Sequence, residues 1–386
     1  MTQILHSVRS AIPSNGHTRN GLQTVSARLK VKHIFGTSSG RTALWLALKS
    51  LHRLHPGRDV VAVPAYTCFS VPAAIIRAGL KIYPVEINPK TLDFDPEQLA
   101  VVPEDKLLCI IPCNLFGFPN NISTVRDVAR AKGAYVIDDA AQALGSTRDG
   151  ELAGTLGDVG IYSLGRGKSI GSVAGGLLVT DSDEIAATIQ SEHRDLVASG
   201  AVEGGRLLLK MVSYSLLLHP RLFWIPNSLP FLKLGTTEFE PSFPVRGMHP
   251  LSLALLQRML SDLDGVNQIR RRNAKTITEA LRGCHNFEFP SPGVMSQPTF
   301  VRLPILARDQ AMRDRAVAQL RNAGIGATAF YPSAICDVPE IEAHMSAPHC
   351  HRVGAEQLSR RLLTLPVHPF VKAQDLDRMT EILDTL

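Results

Sequence analysis

Three short stretches carry side chains able to do chemistry together. The first is 162-YSLGRGKSIG-171, in which Lys168 sits among small residues. The second is 134-AYVIDDAAQALGS-146, an apolar run that ends on Asp138 and Asp139. The third is 36-GTSSGRTAL-44, a small-residue turn that opens a helical pattern. A lysine preceded by glycines invites comparison with the phosphate loop of nucleotide triphosphatases, but that loop needs a glycine where Tyr162 stands. It also opens a helix whose first amides hold the phosphates. Here Lys168 is followed by SIGSVAGGLLVT, small residues and then a strand pattern. The triphosphatase reading fails on both counts.

These stretches are set into a regular alternation. Apolar runs read as strands at 59–65, 80–87, 106–113, 134–139, 159–164 and 175–180, and helical patterns at 41–54, 70–79 and 121–133 fall between them. Such alternation implies an α/β fold with a mainly parallel sheet covered on both faces. With 386 residues, two packed units are expected. Residues 1–240 read as a large domain with an apolar insertion at 207–235. Residues 241–386 read as a long helix (250–283) and a smaller α+β domain with a strand at 298–306 and helices at 308–324 and 373–386.

Bulk composition narrows the class. Apolar residues make up 45% and charged residues 20%, as in an ordinary folded enzyme. The net charge of +6 is scattered, without the basic and aromatic interleaving that nucleic-acid binding uses. Six dispersed cysteines in largely apolar contexts fit free thiols in a reducing cytoplasm better than a disulfide framework. The N-terminus lacks the apolar core of a signal peptide. Pro220, Pro226 and Pro230, with Lys210, His219 and Arg221, break the tract 207–235, so it does not read as a transmembrane helix. It covers the core or an interface, or else rests on a membrane surface. Cys109 and Cys113 read as core thiols, and 349-HCH-351 as a polar turn rather than a metal site.

Two of the three stretches place a carboxylate at a strand end and a lysine in a later loop; the third offers free amides at a helix start. That set suits pyridoxal 5′-phosphate, which needs a lysine for its aldehyde, an acid for its ring nitrogen and a cup for its phosphate. Neighbouring residues on a strand face opposite ways, so only one of Asp138 and Asp139 can serve.

The chain resembles the DegT/DnrJ-type sugar aminotransferase family, within fold type I of the pyridoxal phosphate enzymes. The resemblance rests on SSGRTALWLAL, VAVPAYTCFSVPAAIIRAG, NLFGFP, YVIDDAAQALGS with GTLGDVGIYSL, the lysine followed by GGLLVT, and LLTLPVHPFV near the C-terminus. It implies that Lys168 forms the Schiff base and that Asp139 pairs with the ring nitrogen, leaving Asp138 structural. It implies that Gln142 lies against the ring or its phenolic oxygen, and that Ser163 binds phosphate with the amides of Gly40, Arg41 and Thr42. The usual ring-stacking position falls on Cys68, so Tyr66 or Phe69 would serve instead, Phe69 being preferred. Arg41 replaces a threonine and points either to the phosphate or outward. Asn114 stands where a histidine is common, Arg246 is a candidate cross-subunit phosphate contact, and Arg166 either meets a substrate anion or lies on the surface.

The implied reaction moves an amino group from an amino acid, usually glutamate in the family, to a keto-sugar linked to a nucleotide, for polysaccharide or antibiotic assembly. A homodimer is implied by the same resemblance. Two alternatives stay open: an acceptor that is lipid-linked or acyl, met at a membrane through 207–235, and a regulatory homologue that binds the cofactor without catalysis.

Overall fold

A computed structural model of the chain describes residues 15–165, 167–170, 174–217, 239–346 and 352–386. Strands β1 (His33–Thr37), β2 (Val60–Pro64), β3 (Lys81–Val85), β4 (Leu107–Ile110) and β5 (Tyr135–Asp139) alternate with helices Gly40–Leu54, Ser70–Arg77, Pro96–Ala100 and Ile122–Ala131. A short hairpin of β6 (Thr147–Arg148) and β7 (Glu151–Leu152) precedes β8 (Val159–Ser163) and β9 (Gly176–Thr180). Seven of these strands make one sheet in the order β1-β9-β8-β5-β4-β2-β3. Its pairs are parallel except β1–β9 and β8–β9.

The reason is visible in the strands. VVAVP, LLCI and GLLVT carry no polar face, and every residue of β2, β4 and β9 is buried. Sheets of this kind are covered by helices on both sides. Helix Gly40–Leu54 buries Ala43, Leu44, Leu46, Ala47, Leu48 and Leu51, and its first turn is closed by Ser39, whose Oγ accepts from the Thr42 amide.

The parallel arrangement brings the ends of β2, β4, β5 and β8 to one edge, where α/β proteins place ligands. Asp139 closes β5 and Ser163 closes β8. Across the sheet Asp139 pairs with Ile161 on one side and Cys113 on the other.

The C-terminal region builds its own three-stranded sheet of β10 (Phe287–Glu288), β12 (Leu303–Ala307) and β13 (Leu362–Leu365), while β11 (Ser296–Gln297) joins the β6–β7 hairpin. Helices Gln310–Asn322 and Ala373–Asp384 cover the three-stranded sheet, and their apolar faces share a core with Ala274 and Ile277. Leu253, Leu256, Leu260 and Leu263 instead pack with Val25, Tyr162 and Leu177 of the larger unit.

Two elements differ from the sequence expectation. The helix expected over 250–283 is two, Pro250–Leu260 and Leu263–Ala280. Between them Ser261 Oγ donates to the Arg258 carbonyl at 2.6 Å, the kind of local side-chain bond that competes with a helix. The strand expected over 298–306 is confined to Leu303–Ala307. Upstream, the amides of Thr299 and Val301 donate to Gly117 and Phe116 rather than to a sheet, and Phe300 takes a positive φ of 45°.

In the apolar tract, helix Ala201–Leu217 buries Leu207 and Met211 against Leu251 and Leu255. Residues 218–235 of the tract lie outside the described residues, as do Arg166 and 349-HCH-351. Among the described residues no helix is long and apolar enough to cross a membrane.

Candidate active site

Successive residues of a strand face opposite ways, so Asp138 and Asp139, the last two residues of β5, point to opposite faces of the sheet. Asp138 is fully enclosed. Its Oδ1 accepts from Asn114 Nδ2 at 2.7 Å and its Oδ2 from the Gly154 amide at 2.6 Å. Burial nonetheless pushes its carboxyl up to about 6. Asn114 therefore ties the turn after β4 to the end of β5, and it also donates to the Asp139 carbonyl at 2.9 Å.

Asp139 faces the other way. Its Oδ1 accepts from the Ala141 amide at 2.9 Å, which fixes the carboxyl plane. Burial raises its pKa, while that amide, the Lys168 ammonium and the Cys113 thiol pull it down. The lysine and the acid, 29 positions apart in sequence, are thus within electrostatic reach of each other in the fold. Strand β9 follows the lysine loop. In the first turn of the helix Gly40–Leu54 the amides precede any intrahelical acceptor.

Ser163 and the helix start share one corner. A Cβ at Gly40 would meet Ser163 Cβ at 2.8 Å and Oγ at 3.1 Å, so glycine is what allows the turn to lie on the serine. The Thr42 amide is taken by Ser39 Oγ at 3.1 Å, and the amides of Gly40 and Arg41 precede it in the same turn. The Arg41 side chain points outward: its Nη1 lies 3.3 Å from Glu240 Oε2, and its guanidinium sits 5.1 Å from the Phe243 ring centre. Arg77 stacks on the same ring at 4.7 Å. Arg246 is engaged in an ion pair with Glu203, and its carbonyl accepts from the Ser38 amide at 2.9 Å.

Gln142 is held at both ends. Its Oε1 accepts from the Phe116 amide at 3.3 Å and its Nε2 donates to the Tyr331 hydroxyl at 3.1 Å. Tyr331 is buried, stacks near Phe116 with ring centres 6.4 Å apart, and is reached by Tyr66, whose hydroxyl bonds to the Phe330 carbonyl and the Tyr331 amide. Tyr331 was not singled out from sequence, because its partner lies 189 positions away. Tyr66 and Phe69 are packed in the core, 0% and 4% exposed, whereas Cys68 between them is half-buried. Phe69, expected from sequence to offer its ring, is nearly enclosed by its neighbours.

The donor set fits pyridoxal phosphate: a lysine within electrostatic reach of a buried carboxylate, and a hydroxyl with helix-start amides in a corner that a side chain at Gly40 would fill. A sequence model described as the DegT/DnrJ/EryC1/StrS aminotransferase family matches residues 3–384. The chain belongs to that family. It is accordingly an aminotransferase of the pyridoxal phosphate class. The chain is 26% identical over 358 residues to a pleiotropic regulatory protein of Geobacillus stearothermophilus, covering 92% of this chain and 86% of the other. It is 26% identical over 359 residues to the UDP-N-acetyl-3-dehydro-alpha-D-glucosamine 3-aminotransferase of Acidithiobacillus ferrooxidans, covering 92% and 84%. The fold is shared with a family aminotransferase from Brucella abortus, at a TM-score of 0.77 and 22% identity, covering 100% of this chain and 96% of that one. Among the described residues no group of three or more His, Cys, Asp or Glu side chains is arranged to hold a metal ion.

Proposed function

We propose that this enzyme transfers an amino group from an amino acid, glutamate being the expected donor, to the keto group of a nucleotide-linked sugar in polysaccharide biosynthesis. The observation that carries the reading is the buried Asp139 closing β5 within electrostatic reach of Lys168, together with the Ser163–Gly40 corner. The Acidithiobacillus relative's name specifies an acceptor of this class.

When bound, pyridoxal phosphate supplies an aldehyde to carry the amino group and a protonated ring that accepts electrons released at the substrate carbon. The residues divide the remaining work. Asp139, with its plane set by the Ala141 amide, holds the proton on the ring nitrogen. Lys168 anchors the aldehyde and, once displaced by the donor, moves a proton at the amino-bearing carbon. Ser163 Oγ and the amides of Gly40 and Arg41 receive the phosphate. Gln142, braced by Phe116 and Tyr331, addresses the phenolic oxygen. In the turn after β2 only Cys68 presents surface, and we assign that turn's ring contact to it rather than to Tyr66 or Phe69.

We further propose a homodimer acting in the cytoplasm, in keeping with the family and with the five free cysteines among the described residues. Peripheral membrane contact through 207–235 is the alternative use of that tract, and Leu209, 68% exposed, is its described apolar surface. Flotation with liposomes and sedimentation of the purified chain separate these arrangements. The Geobacillus relative's name favours a second reading, a regulatory protein of the same fold; Lys168, Asp139 and Gln142, all present, speak against it.

The test of the main reading is chemical. The purified protein should take up pyridoxal phosphate, turn yellow, and lose the colour on addition of glutamate. A screen of keto-sugar nucleotides, read by mass spectrometry for the amino-sugar, then identifies the acceptor. Colour without amino transfer to any such sugar would move the assignment to the regulatory reading.

A further inference from the structure

Helix Leu263–Ala280 carries a buried polar stripe that none of the assigned chemistry uses. Asn267, Arg270 and Asn273 recur at one helical face and are 1%, 7% and 2% exposed. Each reaches a backbone carbonyl in a different part of the chain. Asn267 Nδ2 donates to Leu144 O at 3.2 Å, two residues beyond Gln142. Arg270 Nη2 and Nη1 reach Lys168 O and Ser169 O, both at 3.4 Å. Asn273 Nδ2 donates to Val367 O at 3.2 Å, beyond β13 of the smaller unit. The helix thus ties the acid loop, the lysine loop and the C-terminal sheet to one rod. At Gly145, φ is 87° and a Cβ would lie 2.6 Å from Asn267 Nδ2, so the acid loop is fitted closely to the same stripe.

The middle member is unusual. Arg270 is a buried cation whose hydrogen-bond acceptors are two peptide carbonyls and the Asn267 amide oxygen at 3.5 Å, none of them anionic. Among the described residues its Nε and the neighbouring Ser169 Oγ are buried with no hydrogen-bond partner. Burial pushes its guanidinium down to about 10. A charge enclosed in this way costs stability rather than adding it. What arginine supplies, and no neutral residue can, is a rigid fork wide enough to meet two successive carbonyls.

The geometry points to Arg270 as a positioning residue for Lys168: its guanidinium spans the Lys168 and Ser169 carbonyls and fixes the peptide from which the lysine side chain departs toward Asp139. This rests on the aminotransferase reading only for the role of Lys168, and it holds for any acceptor. Misplacement of a reacting group by a fraction of its bond reach lowers the rate far more than it weakens binding.

The experiment uses Arg270→Gln and Arg270→Lys in the full chain, with Arg272→Gln, an exposed neighbour on the same helix, as control. In the glutamate-driven loss of the visible band, both Arg270 variants should lose roughly 30- to 100-fold in the maximal rate, with the half-saturating glutamate concentration within about threefold of wild type. In the cofactor-free protein, Tm should be unchanged or raised, while amide hydrogen exchange accelerates in the peptide covering residues 164–170 and not along the helix. Lysine keeps the charge but offers no fork, so it should not rescue. The inference is overturned if either variant matches the wild-type rate. It is equally overturned if the variants fail to fold, or melt early with exchange spread over the helix, since Arg270 then serves the fold alone. A wild-type protein that takes up no cofactor would count against the proposed function, while the exchange readout would still judge the positioning of the loop.

Discussion

Asp139 and Lys168 lie within electrostatic reach of each other but are held by different means. The acid end is built by the sheet itself. Asp139 closes β5 between Cys113 and Ile161, its carboxyl takes the Ala141 amide, and its neighbour Asp138 locks the turn below through Asn114 and Gly154. Every one of these contacts lies on the sheet edge or in the turns beside it. The lysine end sits in a loop between β8 and β9 and is gripped from outside, by a guanidinium more than a hundred positions away. An amino-transfer site asks for a fixed electrostatic partner and a fixed backbone from which the mobile lysine side chain departs. In this fold strand register holds the first, and the packed helix carrying Arg270 reaches the second.

Substitutions at the two ends should separate these roles. Lys168→Ala removes the group that both anchors the aldehyde and moves the proton, so the glutamate-driven rate should fall on the order of 10³-fold or more, with loss of the yellow band. Asp139→Asn keeps the shape and the Ala141 contact but cannot hold a proton on the ring nitrogen. The rate should fall about 10²- to 10³-fold while cofactor uptake, followed by absorbance, persists. If Asp139→Asn proved as active as wild type, the acid end would have no electrostatic task and the comparison would collapse. Ser163→Ala removes one charge-assisted phosphate contact, worth about 1.5–3 kcal/mol, so the cofactor should bind roughly 10- to 100-fold more weakly in equilibrium dialysis.

The smallest effect concerns Asp138. Its folded value of about 6 lies above the ordinary 3.8. The folded protein therefore takes up this proton more readily than the unfolded chain, and the group's contribution to stability is present below about pH 4 and lost as pH rises through about 6. The change amounts to at most about 3 kcal/mol. Asp138→Asn should flatten that part of the stability profile, measured as urea midpoints between acidic and neutral pH. An unchanged slope would mean that Asp138 is not the group that titrates.

The acid end was readable in the sequence because its parts are local. An apolar run ending in two aspartates, followed by AAQ, fixes a strand, its end and which residues share a face. The small-residue turn before helix Gly40–Leu54 was readable for the same reason. Its detail was not: Thr42 donates to Ser39, and Arg41 turns away to Glu240 and Phe243, residues brought there by the fold. For Phe69 the sequence leaves open whether the ring is offered or packed, and the fold encloses it at 4% exposure while Cys68 beside it keeps surface. Tyr331 and Arg270 carried no local signal at all. The expected single helix over 250–283 likewise misses the break at Ser261 and Asp262 between helices Pro250–Leu260 and Leu263–Ala280.

The most direct test of the whole account is a single mixing experiment with the wild-type chain reconstituted with pyridoxal phosphate. Adding glutamate should abolish the visible band and release one equivalent of the corresponding oxo-acid, with neither change in Lys168→Ala. A protein that binds the cofactor through Lys168 yet leaves both band and glutamate untouched, with every amino donor tried, would contradict it.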